Sequence, residues 1–286
     1  MSGSTNELAW LLKKALSEDI PQKDVTSELM VDPNAIITAE LTTKEKGIFY
    51  GTEIITEIFR ITDTDAAIEN FVENGARINP GQKICVIKGN AKNILSNERV
   101  MLNFLQRLSG IATITNEFVQ KLANPDINIL DTRKTTPLLR FLEKRAVVAG
   151  GGANHRNGLS DMVLIKENHL TSFLQKNSPE ELPGLFKKIR KEYPGMKIEI
   201  EIEDIGQLEE FDLSGVDYIM FDNFAIPEIK QGLEICKQKG YMAEIEISGN
   251  VTLDNIAQYR DIPIHCISVG SLTHSVKALD LSLVFL

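Results

Sequence analysis

Cysteine is scarce in this sequence: three residues, at positions 85, 236 and 266, odd in number and far apart. No CxxC pair and no Cys/His ligand spacing occurs among them, which excludes a disulfide framework or a zinc ribbon and leaves free thiols in a reducing compartment. Long apolar runs are also missing, so no transmembrane segment is expected. The first residues, MSGSTNELAW, lack the basic and apolar stretches of a secretory signal, and a cytoplasmic protein is expected. Basic charge is in deficit. With 31 Lys and Arg against 40 Asp and Glu, the net charge is −9, which argues against a general nucleic-acid or membrane-surface binder. A local basic pocket for a small anion remains compatible with that balance. There is no low-complexity tract, no GxxxxGK[ST] and no GxGxxG after a strand, so neither a P-loop nor a dinucleotide fold is indicated.

What is present is an ordinary globular composition over 286 residues, enough for one large domain or two of common size. Residues 7 to 18 carry apolar positions at helical spacing, and Pro21 ends that pattern. From Ala35 to Tyr50 the alternation reads as two strands joined near Lys46-Gly47, and from Asn74 to Asn90 as short strands about two turns. A long helix follows, capped by Asn93 or Ser96 and interrupted at Ser109-Gly110. Beyond it, short apolar strands recur at 127–130, 162–165, 198–202, 218–221, 243–247 and 265–269, with helical segments between most of them. Such alternation implies parallel strands with crossover helices. It suits a barrel or a doubly wound sheet. The barrel is favoured because polar residues close several strands at once, namely Asp131, Lys166, Glu201 or Glu203, Asp222, Ser248 and Gly270, and barrels gather those ends around one site. The expected division is an N-terminal α+β sandwich domain over 1–112, with the tail 275–286 packing back on it, and an α/β barrel over 113–274.

The window from 131 to 170 holds seven Lys and Arg but four Asp and Glu, a basic island in an acidic chain. Its first part, DTRKTTPLLR, offers Arg133 and Lys134 beside two threonines, donors suited to carboxylates and phosphates. Taken alone, it reads equally well as a helix start with a solvated basic patch. GGGANHRNG follows, its glycines permitting close backbone approach to His155 and Arg156, and Lys166 ends the next strand. His155 and His169 lack the spacing of a helical metal pair, and a metal site there is not expected. In IEIEIED, Glu199, Glu201 and Glu203 share one strand face, which suits either an edge strand with a wet face or carboxylates facing cations. With Asp222 and Glu246 on later strands, they suggest magnesium holding a phosphorylated substrate, or direct stabilisation of a developing cation. EISGN and SVGSLTH each place Ser and Gly at a helix start, where backbone amides bind phosphate. Two enzyme classes fit these residues: glycosyl transfer from a phosphorylated sugar, and a Schiff-base barrel lyase using Lys166. A non-catalytic phosphosugar-binding protein fits them less well.

DTRKTTP, GGxNHR, LIKxNH, the DN pair at 222–223, the SG turn at 248, SVGxLTHS and ERVMLNFLQRLSGIAT (98–113) together resemble the quinolinate phosphoribosyltransferase family, in order, from about Glu18 to Leu283. The resemblance implies an N-terminal sandwich domain and an incomplete parallel α/β barrel. It implies transfer of ribose 5-phosphate from phosphoribosyl pyrophosphate to quinolinate with decarboxylation, giving nicotinate mononucleotide, pyrophosphate and carbon dioxide, with Mg2+ as the only cofactor. By the same resemblance Arg133, His155, Arg156 and Lys166 would meet the carboxylates and phosphate groups, and Lys134 would serve the diphosphate side. Glu201 and Asp222 would hold magnesium and ribose, and Ser248, Gly249 and Gly270 would cup the 5-phosphate. Lys134, Lys166, Glu201 and Asp222 are the implied catalytic set. Arg99 would reach quinolinate from a second copy in a homodimer or dimer-based hexamer. A paralogue acting on another pyridine or base is the implied rival.

The sequence departs from that family's pattern at five positions. Pro21 and Lys23 replace glycines, Leu138 replaces the glycine after TTP, Glu167 replaces an aspartate, and Asn250 stands where a second glycine follows SG. None of these removes a candidate site residue; they bear on loop geometry.

Overall fold

The computed structural model describes residues 2–62 and 65–286. It divides into two compact units. One comprises Met1–Asn116, Thr136–Gly151 and Ser275–Leu286, the other Glu117–Thr135 and Gly152–His274. The division therefore differs from a single cut after residue 112, because residues 136–151 group with the first unit.

In the first unit, α1 (Ser2–Asp19) buries Leu8, Leu11 and Leu12 and ends before Pro21. Asp24 caps α2 (Val25–Met30), its side chain accepting from Ser27 N at 3.0 Å. Next come β1 (Ile36–Thr43), β2 (Gly47–Ile48), α3 (Thr52–Ile61), β3 (Ala67–Asn70), β4 (Arg77–Ile78) and β5 (Lys83–Asn90). Ala39, Leu41 and Thr43 of β1 are buried at period two, as a half-covered strand requires. β5 pairs antiparallel with both β1 and β3. The hairpin expected between residues 35 and 50 does not form: β2 pairs instead with β4 in a separate two-stranded ribbon.

Helix α4 (Ala91–Leu122) starts directly after β5. Its cap is Asn90, not Asn93 or Ser96, since the Asn90 side chain accepts from the amides of Lys92 at 3.0 Å and Asn93 at 3.3 Å. Nor is α4 interrupted at Ser109-Gly110. The buried Ser109 hydroxyl accepts the Tyr50 amide at 3.1 Å, and a Cβ on Gly110 would stand 2.2 Å from the Lys277 carbonyl oxygen. Small residues serve close packing at this point rather than a kink.

The chain continues through β6 (Asn128–Leu130), α5 (Arg140–Ala149), β7 (Met162–Ile165), α6 (Glu167–Leu174), α7 (Leu182–Glu192), β8 (Lys197–Ile202), α8 (Ile205–Glu210) and β9 (Tyr218–Asp222). It ends with α9 (Ile226–Gln238), β10 (Glu244–Ser248), β11 (Cys266–Ser268), α10 (Ser271–His274) and β12 (Leu281–Phe285). β12 pairs antiparallel with β1. Gly150, at the end of α5, is a packing glycine too: a Cβ there would lie 2.3 Å from the Ala112 carbonyl of α4.

Six parallel strands form the second unit's sheet in the order β6-β11-β10-β9-β8-β7. From β7 to β11 each strand neighbours the next in sequence, and β11 then returns to pair with β6. β6 and β7 are thus the two edge strands of this sheet, and beside β6 the segment before β7 adds an isolated parallel bridge between Leu130 and Ala153. This is the incomplete parallel α/β barrel, joined to an α+β sandwich domain. Ile198, Ile200, Ile202, Ile219, Phe221, Ile245, Ile247 and Ile267 are buried on the outer side, where Phe221 packs against Gly232 of α9. Period two then sends Glu199, Glu201, Met220, Asp222, Glu246, Ser248, Cys266 and Ser268 to the lumen. β8 lies between β7 and β9, so its glutamates do not sit on an edge strand.

Candidate active site

A cavity of about 370 Å³ opens at the C-terminal ends of the barrel strands. Its wall includes Arg133, Lys134, His155, Arg156, Lys166, Glu201, Asp222 and Ser248, together with Thr132, Leu164, Met220 and Ser268. Eight of the eleven site residues named from the sequence are therefore brought together. Gly249 and Gly270 are not in its lining, and Arg99 is an exposed residue of α4 in the first unit.

The basic wall is fixed through its backbone. Lys134 N donates to Thr132 Oγ1 at 3.0 Å, and the Thr273 hydroxyl donates to the Lys134 carbonyl at 2.7 Å. Gly270 admits this chain closely, because a Cβ on it would stand 3.2 Å from Lys134 Cδ. The fully buried Asp131 at the end of β6 accepts the His155 amide at 3.0 Å and so aligns the HR pair beside β6. Arg156 Nη1 donates to the Met162 carbonyl at 3.1 Å. Burial, and next the Arg133 guanidinium nearby, pull the Arg156 pKa down, while Glu199 and Asp161 oppose that pull.

The acidic wall faces Lys166. This lysine is the extended N-cap residue of α6, and its ammonium is ion-paired with the Glu201 carboxylate. Burial raises the Glu201 pKa, Lys166 opposes the rise, and Glu167 and Asp222 add to it. Glu167, hydrogen-bonded to Glu201, is lowered in turn. Asp222 accepts from Asn223 Nδ2 at 2.6 Å. Asn223 holds a left-handed backbone, φ 60°, and its amide donates to the Ser248 carbonyl at 2.8 Å. A Cβ on Gly249 would lie 2.2 Å from Asn223 Oδ1, so only glycine fits that turn. Asn250 Nδ2 completes the lock with a 2.9 Å bond to the same oxygen.

Glu199 and Glu246, which the alternation grouped with the candidate magnesium or cation-stabilising carboxylates, do not line this cavity but meet at His155. His155 Nε2 stands 3.1 Å from Glu199 Oε2 and 3.6 Å from Glu246 Oε1. Both glutamates were visible as inward positions of their strands. Their meeting at His155 depends on barrel closure, which no spacing reveals. Ser268, the first residue of SVGSLTH, also lines the cavity. Glu203 is exposed, which leaves Glu201 as the glutamate of that strand in the cavity.

Cations on one side and carboxylates on the other, at the strand ends of a parallel barrel, define a site for a small polyanionic substrate. The chain belongs to the quinolinate phosphoribosyl transferase family: the family's N-terminal domain matches residues 24–109 and its C-terminal domain residues 111–284. It is 40% identical to the probable nicotinate-nucleotide pyrophosphorylase [carboxylating] of Bacillus subtilis (strain 168), over 97% of this chain and 93% of that one. Identity is 37% to the mitochondrial quinolinate phosphoribosyltransferase [decarboxylating] 2b of Nicotiana tabacum, over 98% and 82% of the two chains. The structure of the nicotinate-nucleotide pyrophosphorylase from Francisella tularensis superposes with a TM-score of 0.88 at 33% identity, covering 99% of this chain and 97% of that one.

Proposed function

We propose that the chain transfers the phosphoribosyl group of phosphoribosyl pyrophosphate to the ring nitrogen of quinolinate, with loss of carbon dioxide, to give nicotinate mononucleotide and pyrophosphate. The observation that carries this reading is the two-walled cavity: Arg133, Arg156 and Lys166 for a dicarboxylate, with Glu201 and Asp222 facing them. The ring nitrogen attacks the anomeric carbon as the bond to diphosphate breaks, and its electron pair leaves with diphosphate. The carboxylates stabilise the cationic ribose of that transition state. The alkylated nitrogen then accepts the electrons freed when the adjacent carboxylate departs, and a proton takes the vacated position. Lys134 serves the diphosphate side, and Ser248 with Gly249 and Gly270 cups the 5-phosphate.

Glu201 and Asp222 suit magnesium, which takes one or two carboxylates together with substrate oxygens and water. Bound there, it would neutralise charge on the leaving diphosphate. Lys166 Nζ is engaged in an ion pair with Glu201, which argues against a Schiff-base lyase. Three buried free cysteines favour a reducing, cytoplasmic setting, and no helix among the described residues is long and apolar enough to cross a membrane. We further propose a homodimer, or a dimer-based hexamer, in which Arg99 of a second copy completes the quinolinate site.

The test is turnover with magnesium and phosphoribosyl pyrophosphate, offering quinolinate or nicotinate as acceptor. The expected result is consumption of quinolinate with equimolar release of pyrophosphate and carbon dioxide. Turnover of nicotinate without gas release would overturn the assignment.

A further inference from the structure

The barrel lumen buries more negative charge than the proposed reaction uses. Glu199 is fully buried, and neither of its carboxylate oxygens has a hydrogen-bond partner among the described residues. Its neighbour Glu246 is 1% exposed, and both reach toward His155 Nε2. The other ring nitrogen is committed: His155 Nδ1 lies 2.7 Å from the Arg156 amide, which can only donate. Nδ1 is therefore bare, and the proton of the neutral ring sits on Nε2, between the two carboxylates. The same tautomer argues against a cation at these three groups, although their donor atoms lie within 4.8 Å of one another. A metal-bound imidazole is bare at the binding nitrogen and donates from the other, the reverse of this arrangement.

Around Glu246, β11 contributes the Ser268 hydroxyl, which donates to it, and the Cys266 thiol at 3.5 Å. β8 contributes Glu199, the loop before β7 contributes His155 and Arg156, and β9 sets the uncharged Met220 opposite. A second cavity, of about 230 Å³, runs in from the N-terminal ends of the strands and is lined by His155, Glu246 and Cys266 along with Lys197, Tyr218 and Glu244. It gives water access to Glu246 from the side away from the substrate cavity. His155 and Arg156 line both cavities and separate them.

We propose that Glu246 is a positioning residue acting through His155: when a dicarboxylate docks on the cationic wall, Glu246 takes up a proton that enters through the second cavity. No bond of the substrate changes in this step; one proton moves from solvent to a carboxylate. A dianion placed on the far side of the imidazole adds negative charge close to two buried carboxylates, and like charge raises the proton affinity of a neighbouring acid. Burial, and next the charge of Glu199, already push Glu246 up to about 7 in the unliganded protein, so near neutral pH the proton is available to be gained.

This inference rests on the dicarboxylate reading above, and calorimetric titration of quinolinate into the full-length protein separates the two. Titrations at pH 7.5 in phosphate and in Tris, whose ionisation enthalpies differ, report the protons taken up per quinolinate bound. The wild-type protein should take up a large fraction of one proton, and its Kd should rise with pH above 7, approaching about tenfold per unit at full coupling. Glu246→Gln should still bind quinolinate but lose most of that uptake and flatten the pH dependence. Ser268→Ala removes a donor that favours the charged carboxylate and should move the midpoint to higher pH, which a loss of packing does not do. Binding without proton uptake in the wild-type protein overturns the inference, as does undiminished uptake in Glu246→Gln, which would place the proton elsewhere, Glu201 included. Failure to bind quinolinate at any pH sinks the functional reading itself.

Discussion

At the scale of single residues, the backbone bears on two positions where the sequence resemblance led to an expected glycine. Leu138 and Asn250 both hold left-handed conformations, φ 66° and φ 53°. These are turns of the shape that glycine permits. Asn tolerates that region, whereas for leucine it costs about 1–2 kcal/mol. Leu138 is 67% exposed, so its side chain contributes little packing in return. Glycine there would also loosen the unfolded chain by about 0.5–1 kcal/mol. Leu138→Gly is therefore expected to gain up to about 1 kcal/mol, read as a small rise in Tm by calorimetry. A loss of that size would show that the leucine is anchored by something else. Glu246 supplies a second test at this scale. Its carboxyl is raised from 4.5 to about 7 in the folded protein. The folded state therefore keeps a proton that the unfolded chain releases, and this contribution is complete below pH 4.5 and is lost as pH rises through 7. Relative to wild type, Glu246→Gln should gain stability as pH rises from 5 to 8, by on the order of 3 kcal/mol. Urea titrations at the two pH values measure that difference, and a constant offset would contradict it.

At the scale of elements, legibility followed periodicity. β8 and β10 alternate Ile with Glu or Ser, and each barrel strand forms within a residue or two of its expected span because one face must meet helices and the other the lumen. Helix α3 is not legible in this way: its EIITEIFRI run is rich in β-branched residues, which favour strands, and burial of Ile54, Ile55, Ile58 and Phe59 decides the matter. The small residues were legible as special but not in their purpose. Gly110 and Gly150 resemble a kink and a ligand contact in sequence, yet both are places where α4 is approached by a backbone carbonyl or offers its own. Because the obstructing atom at Gly110 is backbone, it cannot swing aside. Gly110→Ala is expected to destabilise by about 1–3 kcal/mol through displacement of the segment near Lys277. Hydrogen exchange should then localise the loosening to β12 and its partner β1. An unchanged Tm would mean that the segment shifts freely.

For the molecule as a whole, the site is a product of closure. The sequence named most of the cavity because βα alternation predicts which strand ends converge, and it missed the pairing of His155 with Glu199 and Glu246 because those contacts join a loop to strand positions more than forty residues away in sequence. Arg99 marks the limit of one chain: it lies on α4, exposed, and does not line the cavity. If a second copy supplies it, two defects in different subunits should compensate. Arg99→Ala and Lys134→Ala should each be inactive alone. In a mixed dimer, the barrel of the Arg99→Ala subunit retains Lys134 and receives Arg99 from its neighbour, so one of two sites is whole. Random reassortment of equal amounts of the two variants makes half of the dimers mixed, and activity should return to about a quarter of the wild-type value. Mixing without subunit exchange should restore nothing, and absence of rescue after verified exchange would mean that Arg99 serves its own chain or none.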